Sequence, residues 1–440
     1  MKIEPVDTWV LKPVGRFINN STTSGIVLFT SAAVAMIVSN SPWAEAYHHL
    51  WEHEFYFGFD DFGVRKSLHH WINDGLMAVF FFVVGLELKR EIVAGELSDP
   101  KNAILPLAAG IGGMLAPALV YYFFNPDQPL QDGWGIPMAT DIAFALGILY
   151  MLGNKVPVAL KVFLTALAIT DDVGAVLVIA FFYTSDISMV SLATGAGFMA
   201  VLITANLIGV RNTLFYGVVG IAGLWLAFLM SGVHATIAAV LAAFTIPVSV
   251  KMKEKGFIDR AYKLLDDFKH ARPNNQPTVT EEQLHILEKF RRASKRAITP
   301  LQRLEHGLHP FVAFIVMPVF ALANAGITIS ADLSDLVTNT VVLGVALGLL
   351  LGKFVGVVGT VYLLNKFNLA DLPAGLNMRH IIGAGLLAGV GFTMSLFISE
   401  LAFNDKELIL QAKVGILAAS LIAGFAGYLV LAAKPKSSLP

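Results

Sequence analysis

Apolar residues fall along this chain in runs of roughly 20, separated by shorter polar stretches, and runs of that length predict membrane-crossing helices. We read about twelve spans: 17–38, 71–88, 103–124, 135–152, 158–183, 188–209, 214–230, 233–249, 308–325, 337–364, 380–399 and 409–433. Lysine and arginine alternate with them. The tail before span 1 has Lys2, Lys12 and Arg16, and the C-terminus has Lys434 and Lys436. Connections after even-numbered spans carry Lys89, Arg90, Lys101, Lys155, Arg211, a basic segment at 251–303, Lys366 and Arg379. Those after odd-numbered spans carry only Arg65, Lys66 and Lys406. Positive charge concentrates on the cytoplasmic side, so both termini are expected there. The pattern predicts an all-α polytopic membrane protein in three parts: spans 1–8 over 1–249, with an external hairpin at 44–69; a cytoplasmic basic linker over 250–303; and spans 9–12 over 304–440.

Composition fits that picture and narrows the function. The 440 residues are 56% hydrophobic and 14% charged, with mean hydropathy +0.68, whereas soluble domains are about 25% charged. A net charge of −1 gives no basis for a nucleic-acid partner. With no cysteine, disulfides, thiolate metal sites and cysteine nucleophiles are excluded. A cleavable signal is not expected, because the first apolar run follows a long polar segment and continues past Ala33-Val34-Ala35.

Three connections carry information. Residues 55–64 read as two short strands around a turn, whose edges could pair with a second subunit or form a plain surface hairpin. Residues 251–300 hold twelve Lys/Arg against seven Asp/Glu. Helices are expected at 257–270 and 281–297, with Thr280 and Gln283 as a capping box and a break at 272–277. That arm reads as a regulatory or lipid-contacting segment, or as a solvated linker obeying the charge rule. Ser231-Gly232 leaves room only for a tight turn between spans 7 and 8.

Four strong charges lie deep in apolar spans: Asp141, Asp171, Asp172 and Lys353. Each Asp at the centre of a span costs roughly 2.5–3.5 kcal/mol even on the mildest insertion scale. Asp171 and Asp172 sit midway along span 5, about 100° apart in direction, so one can face a cavity while the other faces a neighbouring helix. A buried Lys353 needs a carboxylate or loses its proton. Three acids against one base leave an excess suited to a cation or protons. Spans 4 and 11 are both short and interrupted, by Gly133, Gly135 and Pro137 in one and by Gly383, Gly385, Gly389 and Gly391, then Thr393 and Ser395, in the other. Paired interruptions in two halves point to a transport site on inverted repeats. Asp141, after Thr140, could neutralise opposed half-helix N-termini, and Lys353 opposed C-termini. The plainer alternative is structural salt bridging.

Titratable residues also cluster at span ends. Glu87, Arg90 and Glu91 share one side of the end of span 2. Glu305, His306 and His309 open span 9 in the order Glu-His-x-x-His, which is not the zinc-peptidase order, so a metal site is rejected. Histidine beside carboxylate suits a pH sensor, and ordinary ion pairing is the alternative. His234 lies at the outer end of span 8, and Asp74, near the outer end of span 2, reads as structural.

In these blocks the chain resembles the NhaA-type sodium/proton antiporters over nearly its full length: 73–82, 84–91, Ala139-Thr140-Asp141 to Gly147, Ile169-Thr170-Asp171-Asp172-Val173-Gly174-Ala175, 231–236, 304–310 and Gly352-Lys353. The resemblance implies twelve helices with inverted three-helix repeats in spans 3–5 and 10–12, and unwound spans 4 and 11 that cross. It implies Asp172 as the ion and proton carrier, Asp171 as its partner and that of Lys353, and Asp141 and Thr140 at the crossing. Glu87, Arg90, Glu91, Glu305, His306 and His309 would form a pH-activated funnel, with His234 tuning the response. It further implies a homodimer through the hairpin in a bacterial inner membrane. Three features depart from the family pattern: the long 251–300 segment, Thr170 before the acid pair, and Gly307 within the Glu-His block.

The expected activity is electrogenic exchange of cytoplasmic sodium or lithium for external protons, serving sodium and pH homeostasis, with no cofactor, organic substrate or enzymatic reaction and with membrane lipid as surroundings. The alternatives are a sodium-coupled symporter of similar fold, an intramembrane aspartyl protease using Asp141 and Asp172, and a membrane scaffold.

Overall fold

The computed structural model describes residues 21–59, 62–184, 188–271, 278–328 and 338–433. The terminal cations Lys2, Lys12, Arg16, Lys434 and Lys436, Asp60-Asp61 of the expected hairpin and the expected break at 272–277 lie outside them.

Each expected span is met by a helix or a broken helix. The first is α1 (Ser21–Ser39). It turns by 114° into α2 (Ala44–Glu52), which crosses rather than continues it. Strands β1 (Glu54–Phe59) and β2 (Phe62–Ser67) follow, antiparallel, with Tyr56 opposite Arg65 and Gly58 opposite Gly63. A π-helical turn, Trp71–Leu76, leads into α3 (Met77–Ala94), and α4 is Pro100–Phe124. A 3₁₀ segment, Leu130–Met138, precedes α5 (Ile142–Met151), and α6 is Val158–Phe182. Then come α7 (Met189–Ile208), α8 (Thr213–Leu229) and α9 (Ala235–Thr245). The basic arm is α10 (Glu254–His270) and α11 (Glu281–Ala297). The last spans are α12 (Pro300–Asn324), α13 (Thr340–Lys366), α14 (Met378–Ala388) with α15 (Phe392–Ala402), and α16 (Lys406–Ala432). Among the described residues, seven helices are long and apolar enough to cross a membrane alone, and up to nine if each bent pair counts as one. The chain is an all-α polytopic membrane protein.

Span 8 is shorter than the expected 233–249. Pro247 biases the residue before it away from helical angles, so α9 ends at Thr245. The carbonyls freed there are taken up from neighbouring spans. Lys89 Nζ donates to the Phe244 and Ile246 carbonyls, and Asn206 donates to that of Thr245. Ahead of α9, Gly232 makes the expected tight turn at φ +82°.

In the centre, α4 and α13 run antiparallel. Gly112 meets Thr360, Pro117 meets Gly352, and Tyr121 meets Gly344, so residue numbers rise on one helix as they fall on the other. The contact is close enough to require glycine: a Cβ on Gly352 would sit 2.5 Å from the Pro117 Cα, and one on Gly356 would sit 2.2 Å from the Gly112 carbonyl oxygen. On α4 packs α6, and on α13 packs α16, each triplet holding one broken helix. Two such triplets of opposite sense are the inverted repeat expected of spans 3–5 and 10–12. Phe81, Phe320 and Phe397, all fully buried, pack between α3, α12 and α15, with Phe320 edge-on to Phe397 and Phe81 tilted against it. The arm forms a separate small core around Leu264, Ala271 and Ile286, with the expected capping box at Thr280 and Gln283.

Candidate functional site

The two broken spans meet at their breaks. In span 4, Pro137 removes a backbone donor, and Ala139 and Asp141 are extended. The half-helix before the break is held by aromatic hydroxyls. Tyr121 donates to the Leu130 carbonyl, and Tyr183 donates to that of Asp132 while accepting from the Gly135 amide. Span 11 breaks at Gly389-Val390-Gly391 with a 42° bend. The Asp141 amide donates to the Val390 carbonyl at 2.7 Å, tying the breaks together.

Asp141 serves both half-helix N-termini. One carboxylate oxygen accepts from the Phe144 amide of α5, and the other accepts from the Thr393 amide and hydroxyl at the start of α15. An anion belongs there, because unsatisfied amides and the aligned dipoles converge on it. The expectation that Lys353 does the same for the opposed C-termini is corrected. Hydroxyls supply those donors: Thr140 Oγ1 bonds the Ala388 carbonyl at 2.8 Å, and Ser395 Oγ bonds that of Ile136 at 2.7 Å. They reach the carbonyls without bringing a second charge. Thr393, Ser395 and Ser420, whose Oγ accepts from the Phe392 amide, were not among the expected site residues. Their only signal is a small hydroxyl in an apolar run.

Lys353 instead pairs with Asp171, and both side chains are wholly buried. A π-helical turn, Gly348–Gly352, delivers Lys353 from α13. Thr140 Oγ1 bonds the same Asp171 oxygen at 2.7 Å, so Asp171, Lys353 and the span-4 break form one network. Asp172, one position on, points elsewhere, as the 100° rotation requires. It is wholly buried, and neither carboxylate oxygen has a hydrogen-bond partner. The charges acting on it are Asp171, Glu87, Asp141 and Lys353. Thr170 plays no part in this: its hydroxyl bonds the Ala166 carbonyl of its own helix, and a Cβ on Gly110 would come within 2.7 Å of its methyl group.

At the far end of span 2, Arg90 Nε donates to Glu305 at 2.9 and 3.2 Å, and its Nη1 pairs with Glu91 at 2.7 Å. The second Glu91 oxygen accepts from the Glu96 amide. Glu87 and His309 line a cavity of about 200 Å³ that reaches Asp141 and Thr393. That cavity does not extend to Asp172, which is occluded in this conformation. His306 is exposed and outside the cavity lining. Gly307 does not interrupt α12, which runs through it. His234 sits at the opposite end of the spans, electrostatically close to Asp74 and Lys66. Those two pair at 2.8 Å, in keeping with a structural Asp74. Among the described residues, no group of three or more His, Asp or Glu is arranged to hold a metal ion.

The model of the Na+/H+ antiporter 1 family matches residues 15–431. The chain belongs to this family. It is 49% identical over 429 residues to the Na(+)/H(+) antiporter NhaA of Oleidesulfovibrio alaskensis, covering 97% of this chain and 95% of the relative. Against NhaA 1 of Saccharophagus degradans it is 48% identical over 425 residues, covering 96% and 91%. Against NhaA of Helicobacter pylori it is 44% identical over 439 residues, covering 99% of each. Membership in an antiporter family favours exchange over the sodium-coupled symporter, and the inverted triplets with two broken spans are the architecture expected of it.

Proposed function

We propose that this chain exchanges sodium or lithium for protons at Asp172, alternating one cation with protons on the same carboxylate. The observation that carries this reading is the Asp172 side chain, wholly buried at the middle of α6 with both oxygens unpartnered. A buried carboxylate without donors is costly as an anion, so it takes either a proton or a cation. Asp171 and Asp172 are adjacent and titrate as a pair. Asp171 balances Lys353. When the pair gives up Lys353 or a second proton, more than one proton moves per sodium, and exchange is electrogenic. Asp141 and Thr140 hold the crossing, Asp141 borders the cytoplasmic cavity, and the Thr140 hydroxyl and break carbonyls are further oxygen ligands for the ion once their present bonds open.

The cytoplasmic mouth supplies regulation. Glu87, Arg90, Glu91, Glu305 and His309 gather at one entrance, where the Arg90–Glu305 pair ties α3 to α12, and a change of charge on Glu87 or His309 beside it alters that tie. His306 and, from the outer face, His234 shift that response. The distribution of Lys and Arg supports a bacterial inner-membrane location with both termini cytoplasmic. The hairpin supports a homodimer: β1 and β2 offer exposed edges at the outer face, and Phe55 and Tyr56 are exposed on it. Lipid surrounds the apolar flanks. No cofactor or organic substrate enters the cycle.

Purified protein in liposomes holding a pH gradient tests this. Sodium and lithium, but not potassium, should collapse the gradient, and Asp172→Asn should abolish the response while the protein elutes as folded material. Undiminished exchange in that variant would sink the assignment.

A further inference from the structure

A second cavity, of about 280 Å³, lies at the cytoplasmic surface where the arm meets the membrane spans. Its walls carry six cations: Arg211 after α7, Lys251 after α9, Arg292, Lys295 and Arg296 on α11, and Arg303 on α12. No acid lines it. Glu288, one turn back on α11, pairs with Arg292 at 3.2 Å, an exposed contact that leaves the other five unneutralised. The wall is fixed, because the backbone amides of Lys251 and Met252 both donate to the Arg296 carbonyl at 3.0 Å. Arg211 is anchored through the Ser249 carbonyl and hydroxyl. Arg303 adds an independent sign of a missing partner: its Nε is buried and has no hydrogen-bond acceptor.

Surface cations that only obey the charge rule point apart into water. Here cations from four segments line one concave volume, and like charges gathered around it favour an anion between them. We propose that this cavity binds a multiply charged, phosphate-bearing anion, and that the occupant is a free anion rather than a lipid headgroup. Arginine forks and lysine ammoniums are the donors that phosphate oxygens select. The volume suits two linked phosphate groups. The only apolar residues in the lining are Ile298 and Pro300, which offers acyl chains no channel. Half of the cationic wall comes from α11, so the arm gains a role that a bare linker lacks.

Inorganic pyrophosphate is the probe, titrated calorimetrically into the full-length protein in discs of zwitterionic lipid. Saturable binding at one site per chain is expected, weakening as salt is raised. Lys295→Ala with Arg296→Ala, on an exposed helix face, should weaken it about ten-fold or more, and Arg303→Ala independently so. Arg296→Lys should retain most of it. Absence of saturable binding, or equal affinity in all variants, would overturn the site. Failure of pyrophosphate to bind, with the same variants instead losing retention of anionic lipid, would overturn the free-anion assignment. None of these readouts depends on transport.

Discussion

At the scale of the residue, two adjacent aspartates divide the work by direction alone. Asp171 is spoken for by Lys353 and Thr140, and Asp172 by nothing. The division makes opposite forecasts for the two. Asp171→Asn strands the Lys353 ammonium in a dry site, and breaking a buried pair from one side costs about 3–5 kcal/mol. Its melting temperature should fall well below that of the parent protein. A second change, Lys353→Met, should recover most of that loss without restoring exchange. Asp172→Asn removes no bond and should melt at or above the parent temperature. If Asp172→Asn were the more destabilised variant, the division would be wrong. Thr393→Val should weaken exchange by loosening Asp141, since the hydroxyl donated there is lost from a buried acceptor.

At the scale of the element, the breaks in spans 4 and 11 make the site. They were legible because Gly and Pro interrupt apolar runs in corresponding places, and Asp141 follows one break. Thr140 was legible as a residue of the crossing and Ser395 as part of the span 11 interruption, but their capping of the opposed C-termini was not: only the crossing shows that they meet the Ala388 and Ile136 carbonyls. Of the two roles expected of Lys353, the pairing with Asp171 is met and the helix-end role is not, because one charge can answer a helix end or another charge and sequence position does not rank them. Likewise the length of span 8 was overread, because apolarity continues past Pro247 while the helix does not. A prediction belongs here too. Gly352→Val would drive a methyl-bearing carbon into the Pro117 backbone, separating α4 from α13. Exchange should be lost, and poor yield of folded protein is expected, whereas Gly359→Ala, with open space around its Cα, should be tolerated.

At the scale of the molecule, the fold is an apparatus for access from one side at a time. The cavity lined by Glu87 and His309 stops at Asp141, and Asp172 lies occluded beyond it. The buried Phe81, Phe320 and Phe397 cluster joins α3, α12 and α15. Alternation requires the inverted triplets to shift against the remaining spans, carrying Asp172 to the other face. The hairpin lies outside this motion. Its removal, by joining Glu54 to Ser67 through a short glycine linker, should convert a dimer to a monomer on native mass measurement while leaving exchange measurable. A dimer that survives the deletion would place the contact elsewhere.

The central claim is that one carboxylate, Asp172, holds either a proton or a sodium ion. Its most direct test is to count protons released when sodium is added to the purified protein in weak buffer near neutral pH. The parent protein should release protons saturably with sodium and lithium, and Asp172→Asn should release none. Equal release from both, or none from the parent protein at any pH where it exchanges, would contradict the account.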